Sequence, residues 1–315
     1  MKWQAVALKA IRLVFFILIG SWVFYLLFSD PDHLDNLKSN WRSPEVWIAI
    51  IGWIILPLCL GLLWRMQVKL QTGINIPYIS VIYIQSVAWA GRYLPSKAGL
   101  VIAKAGLALH LNIGWKALTL SVFYEQLIFI LASALLAAML FVFYGNGIVA
   151  YALDLISHLS SINLSTVRIA FLFLMVLLLV SAFLTVYYLV RQKGLIFLGG
   201  IKKELLLVII GHMIVQFIIG ISLFPFFQQY LPETAQALGP LGISGAIALS
   251  NLAGIAAFFA PAGLGVREVV LAFLFSVNSD YETALNAAIM LRLITIISDL
   301  IFLAMGLLLK YRFSD

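Results

Sequence analysis

Two short runs in this chain bring proline, glycine and a cation together inside otherwise apolar sequence. The first is Leu94-Pro95-Ser96-Lys97-Ala98-Gly99, preceded by Arg92. The second is Ala260-Pro261-Ala262-Gly263-Leu264-Gly265, followed by Arg267 and Glu268. Proline and glycine interrupt a helix and free backbone N–H and C=O groups. Free N–H groups at a helix start attract an anion, and the helix dipole adds to that attraction. Lys97 and Arg267 set cationic side chains beside those donors, a combination that suits a phosphate. Lys97 and Lys104 also read as lysines snorkelling to an interface, and Lys104 is assigned that plainer role.

A second set of charges lies within long apolar runs. Glu125 and Arg292 each fall about ten residues into such a run, roughly 15 Å deep at helical rise. An ionised group there costs about 2.5–3.5 kcal/mol even on a lenient insertion scale, so it faces protein and pairs, or lines a polar path. Asp299 follows Arg292 by seven residues and shares its helix face. Glu268 adjoins Arg267 and is placed to neutralise it. The spacing predicts that Glu125 and Arg292 balance each other across one cavity. Whether such a pair handles a ligand or only fixes helix register stays open at this stage.

These residues need elements to hold them, and the composition says what those are. Hydrophobic residues make up 63% of the 315-residue chain and charged residues only 10%. Soluble domains carry about 25% charged residues, so lipid is the solvent this surface suits. The net charge of +7 sits in short loops beside apolar runs, which excludes a nucleic-acid partner and fits the positive-inside rule. One cysteine, Cys59, excludes an internal disulfide framework. No zinc, P-loop or dinucleotide motif is present, so the reading is not an enzyme and implies neither cofactor nor metal. His33, His110, His158 and His212 are scattered and read as loop or interfacial residues. Asp30, Asp32, His33 and Asp35 read as a solvated acidic loop.

The fold class that follows is all-α and polytopic. Six segments are long enough to cross: about 8–28, 46–64, 116–143, 167–190, 205–227 and 284–309. Two further regions, about 77–111 and 241–277, are broken at the proline/glycine runs. Each half is short for a crossing, so re-entrant hairpins or paired short helices are both compatible. With a cytoplasmic N-terminus, residues 29–45 fall outside, and Arg65, Lys69, Arg92, Lys97, Lys104, Lys116, Arg191, Lys193, Lys202, Lys203, Lys310 and Arg312 fall inside. Both termini are then cytoplasmic, in a cell (inner) membrane. Residues 148–159 read as an amphipathic helix lying on the outer interface.

The two broken regions also match each other. Glu125 lies eight residues after Ala117-Leu118 begins, and Arg292 eight after Ala284-Leu285 begins, an offset of about 167. Units of about 46–143 and 205–310, separated by an odd number of crossings, predict an inverted repeat within one domain spanning 1–315. Interrupted helices at matching places in inverted repeats are a mark of transporter binding sites.

The residues Gly91-Arg92-Tyr93-Leu94-Pro95-Ser96-Lys97-Ala98-Gly99, with Pro261-Ala262-Gly263-Leu264-Gly265-Val266-Arg267-Glu268, resemble the lysylphosphatidylglycerol synthase transmembrane-region family, the flippase-like domain family. The family's Pro-x-Gly-x-Gly-x-x-Glu pattern is matched by Pro261, Gly263, Gly265 and Glu268. Arg92, Pro95 and Gly99 carry over from the first motif, where Ser96-Lys97-Ala98 replaces a frequent glycine. Ala262 replaces one of a frequent glycine pair. The resemblance implies a stand-alone translocating unit without the synthase domain. Its cargo would be a phospholipid, glycolipid or polyprenyl-phosphate-linked lipid crossing the cytoplasmic membrane. The alternative is an accessory membrane protein for a glycosyltransferase or lipid-modifying enzyme. A third class, an intramembrane enzyme using Glu125 or Glu268 as base, ranks behind both.

Overall fold

The computed structural model describes residues 42–93, 99–111, 113–157, 202–257, 260 and 263–312. The segments 8–28 and 167–190 read above as spans lie outside these residues. The described chain is all-helical, with eight α-helices and no strand. They are α1 (Pro44–Thr72), α2 (Tyr78–Ala90), α3 (Gly99–Leu107), α4 (Trp115–Ser157), α5 (Lys202–Tyr230), α6 (Pro232–Ala256), α7 (Val266–Phe275) and α8 (Tyr281–Arg312). Among the described residues, five helical stretches are long and apolar enough to cross a membrane: Pro44–Thr72, Trp115–Gly145, Leu206–Tyr230, Pro232–Ala256 and Tyr281–Lys310. The protein is therefore a multi-pass helical membrane protein in its architecture.

Local sequence sets the helix ends. α1 starts with Pro44, whose missing N–H is no loss in a first turn, and carries Glu45 there and Lys69 in its last turn. It stops at Gly73, which takes a left-handed φ of 72° and returns its N–H to the Lys69 carbonyl at 2.9 Å. α8 starts behind Asp280, whose carboxylate accepts the Thr283 N–H at 2.8 Å.

Two helices differ from the sequence reading. The second broken region does not begin near 241, because α6 already starts at Pro232 and kinks at Gly239 (φ 57°) ahead of Pro240. Its first half is therefore long enough to cross, whereas α2, with 13 residues, α3, with 9, and α7, with 10, stay short. The interfacial helix expected from 148 is, up to Ser157, a direct continuation of the 43-residue α4. Glycines at 145 and 147 lower helix propensity without breaking the hydrogen-bond ladder.

The packing has a cross-over pattern. α1 lies against α5, α2 against α8, and α6 against α4. The short α3 packs on α2 and α4, and the short α7 on α6 and α8. Small residues allow these close contacts where lipid offers no hydrophobic drive. A Cβ on Gly220 would stand 1.8 Å from Ser244 Oγ and 2.6 Å from the Pro240 carbonyl, so α5 and α6 meet almost backbone to backbone.

Candidate functional site

The breaks bring four cations and three carboxylates into the helix bundle. The first group hangs on Asp299 of α8. It forms an ion pair with Arg92, accepts the Tyr93 hydroxyl, and accepts Trp89 Nε1 at 2.9 Å. Arg92 lies over the Trp89 ring at 4.7 Å and donates to the Tyr93 hydroxyl at 3.2 Å. The turn Gly91–Tyr93 ends α2, so this network pins the first break to α8. Gly91 packs against Gly99 at the start of α3, where a Cβ would meet the Gly99 carbonyl oxygen at 2.9 Å. Pro95 and Lys97, between them, lie outside the described residues.

The second group joins α3 to α4. Lys104 Nζ donates to both Glu125 oxygens at 2.8 and 2.7 Å and sits 4.3 Å from the Trp64 ring centroid. Lys104 is 0% exposed. This corrects the snorkelling assignment: the residue points into the bundle because its partner carboxylate is there. It also corrects the expected Glu125–Arg292 balance. A desolvated carboxylate takes the nearest cation, and α3 packs directly on α4.

The third group joins α7 to α8. Arg292 Nε lies 3.4 Å from Glu268 Oε1, and both side chains are buried. Glu268 therefore faces Arg292 and does not pair with its neighbour Arg267. Successive residues on a helix point about 100° apart, so Arg267 and Glu268 address different neighbours. Asp299 shares a face with Arg292 but is two turns away and serves Arg92. Glu268 Oε2 and Arg292 Nη2 are buried without a hydrogen-bond partner.

Arg267 is the remaining cation. No carboxylate among the described residues forms an ion pair with it, and its Nε is buried without a hydrogen-bond partner. It lies in a slot made by glycine. A Cβ on Gly254 would stand 2.5 Å from its Nε, and one on Gly263 would stand 2.8 Å away. Gly263 and Gly265 hold left-handed φ values of 71° and 81°, so the chain can turn tightly just before α7. Pro261 lies outside the described residues.

A cavity of about 340 Å³ opens beside these groups. Arg92, Arg267 and Glu125 reach it, together with the amides of Gln85, Gln126 and Asn251. Its remaining wall is apolar: Trp53, Leu56, Leu60, Trp89, Leu100, Val101, Phe123, Phe129, Ile130 and Ile255. A small chamber of about 30 Å³ adjoins it, sharing Trp53, Asn251 and Arg267 and reaching Glu268 and Arg292. That volume accommodates roughly one water molecule, which the unpaired atoms of Glu268 and Arg292 could bind. Phe123, which lines the cavity, is 46% exposed.

Reading residues one at a time missed Trp53, Gln85, Trp89, Tyr93 and Asn251. The amides could have been found by the rule applied to Glu125, since an intramembrane polar group calls for a partner or a wet path. Trp89 sits three residues before Arg92, the spacing of stacked neighbours on a helix. His212, read as interfacial, is buried in α5 with Nδ1 2.8 Å from the Val208 carbonyl. No cluster of metal-ligating side chains occurs among the described residues. Comparison of the chain with protein-family models and with curated proteins finds no match.

Proposed function

We propose that this protein is a flippase-like lipid transporter of the cytoplasmic membrane, in which a lipid headgroup passes through the cavity while its chains stay against the apolar wall. The observation that carries the reading is the cavity itself. Its lining combines two arginines, a glutamate and three amides with aromatic and aliphatic side chains. An amphiphile combines the same two chemistries, a charged or polar headgroup and apolar chains.

The order of elements supports the reading. Long helix, second helix, break, short helix and long helix occur twice, as α1–α4 and as α5–α8. The contacts α2 with α8 and α6 with α4 exchange equivalent elements between the two units. Such an inverted repeat would let each break open toward one side of the membrane in turn. The resemblance to the lysylphosphatidylglycerol synthase transmembrane region points to the same class of cargo: phospholipid, glycolipid or polyprenyl-phosphate-linked lipid.

Transfer of fluorescent short-chain lipids between leaflets of liposomes tests the proposal. Folded protein should accelerate transfer above protein-free liposomes, and Arg267→Gln should slow it. Transfer at the protein-free rate with every lipid class, by protein that elutes as one folded species, would refute transport. Stimulation of a glycosyltransferase by that same preparation would turn the assignment to an accessory role.

A further inference from the structure

We infer that the headgroup taken up by the cavity carries one negative charge, as a phosphodiester does, and that Arg267 is the cation it neutralises. The inference rests on the cavity being a lipid site. It comes from the charge count among the described residues around that cavity. Arg92 pairs with Asp299, Lys104 with Glu125, and Arg292 with Glu268. Among the described residues Arg267 is left over. A guanidinium does not shed its proton in a protein, so the surplus persists at every working pH.

The glycine slot keeps this charge in place. With Gly254 and Gly263 closed on its stem, Arg267 is held to the cavity and its side chamber. Its Nε is buried without a hydrogen-bond partner, and no carboxylate among the described residues pairs with its guanidinium. A paired network of buried charge is tolerable and a stranded charge is not, so Arg267 favours an anionic partner.

The number of charges on the ligand then matters. The cost of net charge in a weakly polarisable interior rises with its square. A monoanion takes the cluster from one positive charge to none. A dianion takes it to one negative charge, and its own dehydration costs more. A neutral headgroup leaves the surplus where it was. A phosphodiester therefore fits, and a fully ionised phosphomonoester does not. Two kinds of lipid carry that chemistry: glycerophospholipids and prenyl phosphate esters of a sugar.

Binding to the purified full-length chain in neutral detergent tests this, read by the fluorescence of Trp53 and Trp89, which line the cavity. The probes are lysophosphatidylglycerol, monoacylglycerol and lysophosphatidic acid of one chain length, with citronellyl phosphoglucose as the prenyl diester. At least one diester should bind about tenfold or more tighter than monoacylglycerol, the scale of one charge-assisted hydrogen bond. The stronger diester identifies the lipid source. Lysophosphatidic acid should lose affinity as pH rises through its second ionisation near about 6, while the diesters stay level. Arg267→Gln should erase the advantage over monoacylglycerol and still bind that neutral lipid, and Arg267→Lys should keep a preference for the anion. Equal or tighter binding of the dianion at about pH 8, or an anion preference that survives Arg267→Gln, would overturn the inference. Failure of folded wild-type protein to bind any of the four, monoacylglycerol included, would instead remove the lipid cavity on which it stands.

Discussion

Removing either member of the Lys104–Glu125 pair should destabilise the protein more than removing both. Lys104 is 0% exposed and bonded to both carboxylate oxygens at 2.7 and 2.8 Å, with the Trp64 ring 4.3 Å away. Breaking a buried pair by deleting one partner costs about 3–5 kcal/mol, because the other charge is left without compensation. Lys104→Met strands Glu125, which lines the cavity and can be wetted there, so the cost should fall near about 3 kcal/mol. Glu125→Leu strands Lys104, which does not line that cavity, and the cost should approach about 5 kcal/mol. The double variant Lys104→Met with Glu125→Leu leaves neither charge. Apolar replacement of both partners is often close to neutral, so it should be less destabilised than either single variant. Reversible unfolding in mixed detergent micelles, followed by helix signal, measures all four corners of the cycle. A lysine that only snorkels to the interface predicts a different result, at most about 1 kcal/mol for Lys104→Met and simple additivity. That result would refute the buried-pair argument.

Three other perturbations follow from separate parts of the structure. Gly220→Ala should lower the unfolding midpoint strongly, because the new methyl would enter the space of Ser244 Oγ and the Pro240 carbonyl, whereas Gly73→Ala meets open space and should cost only about 1 kcal/mol for its left-handed φ. The Thr283 N–H holds the Asp280 carboxyl below the usual carboxylate value. A lowered native pKa adds stability above the unfolded value of about 4, and that stability is lost as pH falls through the native pKa. Protection of the Thr283 amide from exchange should therefore drop on acidification in wild type and be low throughout in Asp280→Ala. For sidedness, a cysteine at Asn278 should react with a membrane-impermeant reagent in intact cells and one at Gly73 should not; the reverse would invert the proposed orientation.

Much of the helix layout was readable because it depends on local composition. The apolar runs at 46–64, 116–143, 205–227 and 284–309 each lie inside a helix of the structure. The helices overrun those segments at their ends, since a polar stretch such as Arg65–Thr72 keeps helical hydrogen bonds without needing lipid. Proline and glycine marked both breaks, as their backbone chemistry requires. Gly239 did not stand out, because residues 232–238 carry Glu233, Thr234 and Gln236 and read as a connection between apolar runs. Lys104 was misplaced for a different reason: its neighbours in sequence are apolar in either role, and only the packing of α3 against α4 decides which way it points.

The charge pairs show what a matched spacing can and cannot reveal. Glu125 and Arg292 occupy matching places in the proposed repeat, and that match suggested mutual contact. In the structure each instead clamps the short helix that precedes it in its own half. Glu125 holds Lys104 of α3, and Arg292 holds Glu268 of α7. The positions are equivalent in task, with the signs exchanged. A repeat in sequence preserves the relation of a residue to its own unit, so it predicts contacts within units more securely than contacts between them. The contact that does cross between the halves, Arg92 with Asp299, joins residues with no counterpart at the offset of about 167. It forms because α2 crosses onto α8, and crossing partners are set by three-dimensional packing that spacing along one chain does not encode.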